Sequence, residues 1–247
     1  MYRLEDGYWW YRALRDRIIA ALDAYAPEAR SFLDAGCGTG GVLADLRRRR
    51  PGARFVGLDA SPHALERCRP RALSCLARGS VNDLPFGSAA FGVITCHDVL
   101  DFEGIDDRRA LAEFARVLEP RGVLVLNLPA FEFLRGAHDE FVKTQHRYTR
   151  REVEELARGA GLEVLRATYW NAVLFPVVAV VRRLRRTRAA THESDLRSIA
   201  RSLDRLLYGL LRIEAAWLRR RPLRFGTSVF CVARRDAAPA SRQKWSV

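Results

Sequence analysis

Short apolar runs of strand length alternate with longer helix-type runs along most of this sequence. The strand-type runs read SFLDA, ARFVGLDA, LSCLA, FGVITCHD, GVLVLNL, LEVLRATYW and, at residues 227–235, TSVFCVARR. Between them lie VLADLRRRR, PHALERC and ALAEFARVL, which have the apolar spacing of helices. Strands that alternate with helices are typical of a parallel sheet with crossover helices. The sequence therefore predicts an α/β fold.

The chain has 247 residues, enough to bury one large core, and we expect a single domain. The expected division is a core of residues 31–170 and 223–235, an N-terminal helical lid (1–30), a helical insertion (171–222) and a tail (236–247). Ligands of open α/β sheets bind outside the carboxyl ends of the strands. The lid, the insertion and the loop 129–148 are therefore expected to cover that edge.

The basic charge has two interpretations. Forty-two Lys and Arg against twenty-nine Asp and Glu give a formal charge of +13, which favours nucleic acid, an anionic membrane surface or an anionic substrate. Lys143 and Lys244 are the only lysines, however, so nearly all the positive charge is arginine in an Ala- and Leu-rich chain. Such a composition also follows from coding bias alone, and charge does not assign a partner.

Cysteine usage and the apolar runs favour a cytoplasmic protein. The five cysteines are odd in number and include no C-x-x-C pair, so we expect reduced thiols. Glu5, Asp6 and two Trp residues stand where a signal peptide would need an apolar stretch. The longest apolar run, at 171–181, is too short to span a bilayer. Because four arginines follow within 182–186, peripheral membrane contact stays open.

A glycine-rich stretch marks the expected ligand site. Residues 33–41 read LDAGCGTGG, and Gly36, Gly38 and Gly41 fit the G-x-G-x-x-G pattern of dinucleotide sites. Asp59 follows at the end of the second strand, where it could bind ribose hydroxyls. Asp34 decides between ligands, because a carboxylate beside the loop repels a pyrophosphate and attracts an ammonium group. S-adenosylmethionine has ribose hydroxyls, an ammonium group and no phosphate, and it is the expected cofactor.

Five motifs in order carry a family resemblance. FLDAGCGTGG, FVGLDAS, VNDLPF, FGVITCHDVLDF and FARVLEPRGVLVLNLP resemble successive motifs of class I S-adenosylmethionine-dependent methyltransferases, in the small-molecule, methyltransferase type 11-like branch. The resemblance covers residues 31–170 and the last strand. It implies a Rossmann-like sheet of seven strands flanked by helices, mostly parallel, with an antiparallel last strand beside the sixth and the helical insertion between them.

The same resemblance implies roles for individual residues. Gly36 and Gly38 would let the cofactor approach the backbone, Asp59 would bind the ribose diol, and Asp83 with Leu84 would contact the adenine. The full set expected to bind the cofactor is Asp34, Gly36, Gly38, Asp59, Ala60, Asn82, Asp83, Leu84, Cys96 and His97. Asp34 could instead cap a helix, and Asp83 could form an Asx turn before Pro85.

Methyl transfer from a sulfonium is an in-line displacement that needs no metal, and none is predicted. A hydroxyl or phenol acceptor also needs a base, for which histidine has a suitable pKa. His138 and His146 lie in the loop after the fifth strand and are the candidate bases, while a purely structural role for both stays open. The residues expected to contact the acceptor are Trp10, Tyr11, Tyr148 and Phe175.

The insertion carries an apolar stripe with alternating three- and four-residue spacing, which predicts one amphipathic helix. Its members are Leu196, Ile199, Leu203, Leu206, Leu210, Ile213 and Trp217. The favoured partner is the apolar run at 171–181 in the same chain; a second subunit or an amphiphilic substrate are alternatives. We expect helices 171–222 to roof the acceptor pocket, in a monomer or homodimer.

The sequence thus predicts an S-adenosylmethionine-dependent methyltransferase acting on oxygen, nitrogen or carbon of a small, apolar or amphiphilic acceptor in biosynthesis. A noncatalytic S-adenosylmethionine-binding module or cyclase is the main alternative. A nucleic-acid methyltransferase is not expected, because CHDVLDF stands where base-modifying members usually carry an N/D-P-P-Y/F element. An NAD oxidoreductase requires a different role for Asp34.

Overall fold

The computed structural model describes residues 7–73, 75–185 and 201–237. Its seven strands are β1 (Ser31–Ala35), β2 (Arg54–Asp59), β3 (Leu76–Arg78), β4 (Phe91–His97), β5 (Leu118–Pro129), β6 (Leu162–Trp170) and β7 (Ser228–Arg235). The α-helices are α1 (Trp9–Tyr25), α2 (Gly41–Arg49), α3 (Pro62–Glu66), α4 (Asp107–Val117), α5 (Ala137–Phe141), α6 (Arg150–Gly159), α7 (Phe175–Arg185) and α8 (Arg201–Leu218). Short 3₁₀ turns cover Arg69–Arg71 and Glu132–Leu134.

The strands form one sheet in the order β3-β2-β1-β4-β5-β7-β6. All neighbouring pairs are parallel except those made by β7, which runs antiparallel to both β5 and β6. Phe230 of β7 pairs with Asn127 on one side and Thr168 on the other. The predicted α/β fold, with seven strands and an antiparallel last strand beside the sixth, is confirmed.

Helix starts follow the local chemistry of the sequence. Ser61 caps α3, since its hydroxyl accepts a 3.3 Å hydrogen bond from the amide of Ala64, and Pro62 occupies the first turn. Thr149 and Glu152 form a reciprocal capping box at the start of α6. These caps position the loops that follow β2 and β5.

The two faces of the sheet are covered by different helices. Helices α4 and α6 pack on one face, where Phe114, Val117 and Val153 are buried. Helices α1, α2 and α8 contribute to the core on the other face, where Ile18 and Leu22 are buried. The parallel strands β1, β2, β4, β5 and β6 end at one common edge, which is the edge expected to bind ligands.

The insertion contributes two helices in different places. Helix α7 starts at the carboxyl edge and packs on the 3₁₀ turn at Glu132–Leu134. Gly136 lies so close to Arg182 of α7 that an added Cβ would overlap the guanidinium. Helix α8 instead lies along α1. The expected roof over the edge therefore corresponds to α7, whereas α8 covers a face of the sheet.

The predicted partner of the apolar stripe is wrong. Leu203, Leu206, Ile213 and Trp217 are 43, 59, 70 and 61 % exposed, and Leu196 and Ile199 lie outside the described residues. Helix α8 buries Leu211, Glu214 and Leu218, which belong to a neighbouring stripe about 100° around the helix. On that side, Glu214 accepts from amides of the segment after β6 and lies 4.0 Å from Arg17 of α1. The apolar stripe itself faces outward.

Within the described residues, no helix is long and apolar enough to cross a membrane.

Candidate functional site

The glycine loop connects β1 to α2 at the carboxyl edge. Gly36 and Gly38 have φ values of +82° and +55°, a left-handed backbone that favours glycine. A Cβ on Gly36 would lie 2.2 Å from Cγ2 of Val99, in the loop after β4. The absence of a side chain therefore lets the β4 loop approach the glycine loop closely.

Protein oxygens already satisfy the amides of this loop. The N–H groups of Gly36 and Cys37 both donate to the carbonyl of Leu58, at 2.7 and 2.9 Å. The N–H of Gly38 donates to Oδ2 of Asp59 at 2.8 Å, while Oδ1 of Asp59 accepts from the amide of Ser61 at 2.8 Å. Asp59 therefore holds both the glycine loop and the start of α3.

The second carboxylate of the loop, Asp34, lies beneath it near the end of β1. It is 3 % exposed, and its Oδ1 accepts a 2.7 Å hydrogen bond from the hydroxyl of Thr95 on β4. Thr95 had no role in the sequence prediction. Asp34 therefore contributes negative charge from inside the protein, and Thr95 fixes its side chain.

The predicted adenine-side residues lie in the loop between β3 and β4. Asn82 bridges to the loop before α4, donating to the carbonyl of Gly104 at 2.9 Å and accepting from the amide of Asp106 at 3.0 Å. Asp83 is exposed, whereas Leu84 is buried and its amide donates to Glu113. If Leu84 contacts the cofactor, it would therefore do so through the small part of its side chain that is not buried. Ala60 is exposed beside Asp59.

Cys96 and His97 end β4 with different surroundings. Cys96 is fully buried in the core on the α4 face, where burial raises the pKa of its thiol, so a cofactor contact would come from its backbone. Both ring nitrogens of His97 are buried without a hydrogen-bond partner. Burial lowers the pKa of His97 to about 3, so the ring is neutral at pH 7. Unpaired buried polar atoms of this kind are often completed by a ligand.

Two acidic side chains, Asp98 and Asp101, follow His97, and the sequence prediction missed them. Asp98 adopts φ +50°, which is unusual for a non-glycine residue, and burial raises the pKa of its carboxyl group. Asp101 is 3 % exposed, its Oδ1 has no partner, and burial raises its pKa to about 6. The guanidinium of Arg147 opposes both shifts. The sequence did contain an indication of this site, because the stretch CHDVLDF has two aspartates next to the end of a predicted strand.

Arg147 is anchored in the loop after β5. It donates to Oδ1 of Asp139 at 2.6 Å and to the carbonyls of Ala130 and Phe131 at 3.0 and 3.2 Å. Its side chain is only 10 % exposed. Because these contacts fix the guanidinium, the positive charge opposite Asp98 and Asp101 is held in place.

Asn127, at the end of β5, joins this acidic group to the aromatic side of the site. Its Nδ2 donates to the carboxylate of Asp98 at 3.0 Å, and its Oδ1 accepts from Nε1 of Trp170 at 2.7 Å. Trp170 stacks on Trp10 with ring centres 5.8 Å apart. Trp10 and neighbouring Tyr11, whose rings are 5.1 Å apart, therefore lie beside the end of β6.

One of the two predicted bases, His146, lies beside a surface cavity between α4 and α6. His146 packs edge-on against Tyr148, 3.8 Å from Oε1 of Glu152, and lines a surface cavity of about 430 Å³ between α4 and α6. Tyr148 is 1 % exposed and donates to the carbonyl of Leu100 at 3.0 Å. It supports the β4 loop in this arrangement. His138 belongs to α5, but its side chain lies outside the described part of the structure.

Aromatic rings cluster around Phe175 at the start of α7. Phe131 stacks on Tyr169 at 4.7 Å, and Phe175 contacts Phe131, Phe133 and Phe225 at 5.7, 6.0 and 5.3 Å between ring centres. Phe133 and Phe225 are about half exposed, at 50 and 46 %. We call this group the aromatic rim. It offers an apolar surface at the carboxyl edge.

Among the described residues, no cluster of three or more His, Cys, Asp or Glu side chains could hold a metal ion.

Comparison with known proteins identifies relatives over the core of the chain. Residues 33–126 match the model of the methyltransferase domain family. The chain is 37 % identical over 123 residues to the demethylmenaquinone methyltransferase of Deinococcus radiodurans, covering 47 % of this chain and 48 % of that protein. It is 34 % identical over 163 residues to the malonyl-[acyl-carrier protein] O-methyltransferase of Dechloromonas aromatica, covering 62 and 60 %. The chain spans about half the length of the curated relatives it matches.

The fold is shared more widely. The crystal structure of geranyl diphosphate C-methyltransferase from Streptomyces coelicolor superposes with a TM-score of 0.60 at 17 % identity, covering 91 % of this chain and 77 % of that one. At this identity the likeness is one of fold.

Proposed function

We propose that this protein is a class I S-adenosylmethionine-dependent methyltransferase that methylates a small, apolar or amphiphilic acceptor, since residues 33–126 match the methyltransferase domain family. The observation that carries the proposal is the arrangement of Asp59 on the glycine loop. In a dinucleotide site the loop amides bind phosphate. Here the amide of Gly38 donates to a carboxylate, and Asp34 adds a second negative charge below. That environment suits a cationic sulfonium cofactor rather than a pyrophosphate.

The residues present fit S-adenosylmethionine. Asp59 would accept from the ribose hydroxyls, and Asp34 would favour the ammonium group electrostatically. When bound, the cofactor would supply the methyl group: the acceptor would attack the methyl carbon from the side opposite sulfur, and S-adenosylhomocysteine would be the leaving group. The protein has to orient the acceptor, and such orientation can contribute roughly 7–11 kcal/mol to a barrier reduction. We assign acceptor orientation to Trp10, Tyr11 and the aromatic rim.

We propose that the acceptor's proton passes to a side chain of the segment after β4 instead of to His146 in the loop after β5. His97 is neutral, buried and unpaired at both nitrogens, and Asp101 has a free buried oxygen. A general base has to reach the reacting atom. We therefore propose Asp101, whose pKa of about 6 leaves it ionised at pH 7, as the base instead of His146, whose ring faces Glu152. His97, with a pKa of about 3, is too weak a base for this step. The relatives are named for two different acceptors, so this chain's acceptor is proposed only by class.

Peripheral contact with an anionic membrane is proposed for the exposed stripe of α8. Ile213 and Trp217 are 70 and 61 % exposed, and Arg212 on the same helix and Arg219 directly after it are exposed as well. An apolar face flanked by arginine is typical of helices that lie in a membrane interface. Vesicle co-sedimentation of Trp217→Ser, with exposed Phe141→Ser as the matched control, tests this contact. Equal loss in both variants, or none in Trp217→Ser, contradicts it.

Two measurements test the main proposal. S-adenosylmethionine and S-adenosylhomocysteine should raise the melting temperature, while NAD and NADP should not, because a ligand of the folded state stabilises it. Incubation with candidate acceptors should then release S-adenosylhomocysteine in proportion to methylated product. Equal shifts from NAD would restore the dinucleotide interpretation. Binding without any turnover across apolar and amphiphilic acceptors would favour a noncatalytic module.

A further inference from the structure

A second cavity lies on the sheet face, apart from the carboxyl edge. It is a groove between α1 and α8 with a volume of about 1120 Å³, and its floor is formed by β6 and β7. Ala20 and Ala24 of α1 and Ala216 of α8 line its walls, while Phe230 and Val232 form part of the floor. Pockets that hold small ligands typically have about 300–1,000 Å³. The groove is therefore large enough for a ligand with a long apolar part.

Arg17 forms the polar part of the groove wall. Its side chain is 10 % exposed, and its guanidinium lies 4.8 Å from the ring centre of Trp170 and 5.6 Å from that of Phe230. Its Nε is buried without a hydrogen-bond partner. A buried donor left unpaired in this way costs free energy that an anionic ligand would recover.

The nearest carboxylate compensates Arg17 only in part. Glu214 lies 4.0 Å from Arg17, at the limit of an ion pair. Its two oxygens already accept from the amides of Asn171, Ala172 and Val173, at 2.5, 2.7 and 3.2 Å. Burial lowers the pKa of Arg17 to about 10, so the guanidinium stays charged at pH 7. Arg17 is thus a buried cation with room for a further anion.

Most of the remaining charges of the groove are positive, like that of Arg17. Arg166, Arg212 and Arg219 line it, against one carboxylate, Asp16, which accepts a 2.5 Å hydrogen bond from Tyr208. Apolar walls with an excess of arginine fit a ligand that has an alkyl chain and a negative head. From this arrangement we propose that the groove binds a single-chain anionic amphiphile, a fatty carboxylate, with its head group toward Arg17.

Trp170 links Arg17 of the groove to the residues at the carboxyl edge. Its ring packs against the guanidinium of Arg17, and its indole N–H donates to Asn127, which in turn holds Asp98. The groove is nevertheless separate from the carboxyl edge. Its floor residues Arg166 and Val232 pair with each other in the middle of β6 and β7, and not at the strand ends. Ligand binding in the groove therefore does not require the cofactor, and it can be measured independently of the proposed activity.

Dodecanoate below its micellar concentration is the probe, measured by calorimetry on the full chain without cofactor. It should bind and raise the melting temperature, while dodecyltrimethylammonium and 1-dodecanol should bind at least about tenfold more weakly, because they lack the charge that Arg17 recognises. Arg17→Gln should weaken dodecanoate binding by about tenfold or more. Ala216→Trp, at an exposed wall position, should block binding without removing any charge.

Arg183→Gln provides the matched control, because Arg183 is exposed on α7 and does not line the groove. If it weakens binding as much as Arg17→Gln, the attraction is diffuse charge and the proposal is wrong. Equal affinity for the cationic amphiphile also overturns it. If Ala216→Trp binds dodecanoate normally, the ligand lies elsewhere. Binding only to anionic vesicles and not to monomeric dodecanoate would assign the surface to membrane contact instead.

Discussion

The carboxylate of Asp59 accepts a 2.8 Å hydrogen bond from the amide of Gly38, twenty-one residues earlier in the chain. One residue at the end of β2 thus shapes the loop at the end of β1. The same carboxylate is the group proposed to bind the ribose of the cofactor. These two roles of Asp59 are coupled. Loss of its side chain would release the glycine loop and would also remove the hydrogen-bond acceptor proposed for the ribose hydroxyls.

Asp59→Ala should therefore weaken S-adenosylhomocysteine binding by at least the roughly 1.5–3 kcal/mol of a charged hydrogen bond. Titration calorimetry measures the change. Glu66→Ala is the control, because the Glu66 side chain is 65 % exposed and lies 3.9 Å from His63 on the surface of α3. An unchanged dissociation constant in Asp59→Ala would remove the ribose assignment.

Phe175→Ser should raise the acceptor KM or abolish turnover, because it places a hydroxyl inside the aromatic rim. The cofactor dissociation constant should stay within about twofold, as expected for a side chain that the cofactor does not touch. Steady-state kinetics and calorimetry separate the two effects. Phe141→Ser removes a ring that is 67 % exposed on α5 and should leave both constants unchanged. A parallel loss of cofactor affinity in Phe175→Ser would argue against an acceptor role.

His97 should make the folded state less stable in acid. Its pKa is lowered to about 3 by burial, so between pH 6.5 and 3 the unfolded chain takes up a proton that the folded chain does not. Each pH unit lost in this range should cost up to ~1.4 kcal/mol. Urea unfolding at pH 6.5 and 4.5 should thus show wild type losing more stability than His97→Gln on acidification. Equal losses would mean that the imidazole is hydrated.

Asp101 should act with the opposite sign. Burial raises its pKa to about 6, so ionisation between about pH 4 and 6 penalises the folded state, and its contribution falls as pH rises. Compared with Asp101→Asn, wild type should therefore lose stability between pH 4.5 and 6.5 in the same urea experiment. A difference that does not change with pH would show that Asp101 is already ionised at pH 4.5.

Glu214→Ala should destabilise the fold by about 3–5 kcal/mol, because it leaves three backbone amides and the guanidinium of Arg17 without their buried acceptor. Glu163→Ala is the matched control: its carboxylate is 49 % exposed and pairs with Arg234 on the surface, which is worth about 0–1 kcal/mol. Thermal and urea denaturation give both values. Similar effects of the two substitutions would show that Glu214 is not a structural anchor.

The sequence was sufficient where local chemistry determines structure. The strand runs, the cap at Ser61 and the capping box at Thr149 depend on neighbours within a few residues, and the structure agrees with them. The left-handed turns at Gly36 and Gly38 likewise follow from residue type. Contacts between distant elements were less accessible. The partnership of Asp34 with Thr95 joins two strands sixty-one residues apart, and no local pattern indicates it.

The helix of the insertion shows the same limit. Two apolar stripes lie side by side on α8, one through Leu206 and Ile213 and the other through Leu211 and Leu218. The spacing of apolar residues in the sequence predicted that the first stripe would be the covered one. In the structure the second stripe is buried instead. Glu214 lies on that side of α8 and accepts hydrogen bonds from amides of the segment after β6. The buried contacts of Glu214 form only in the assembled fold. The sequence alone therefore could not indicate which apolar face of α8 is covered.

The position of β7 determines the order in which the strands can join the sheet during synthesis. Because β7 pairs with β5 on one side and β6 on the other, β6 cannot join the sheet until residues 228–235 have left the ribosome. During that interval β5 and β6 both offer unpaired backbone edges, which are sites of mispairing between chains. A nascent chain that stalls before β7 would therefore be a substrate for chaperones, although five of its seven strands could already be assembled.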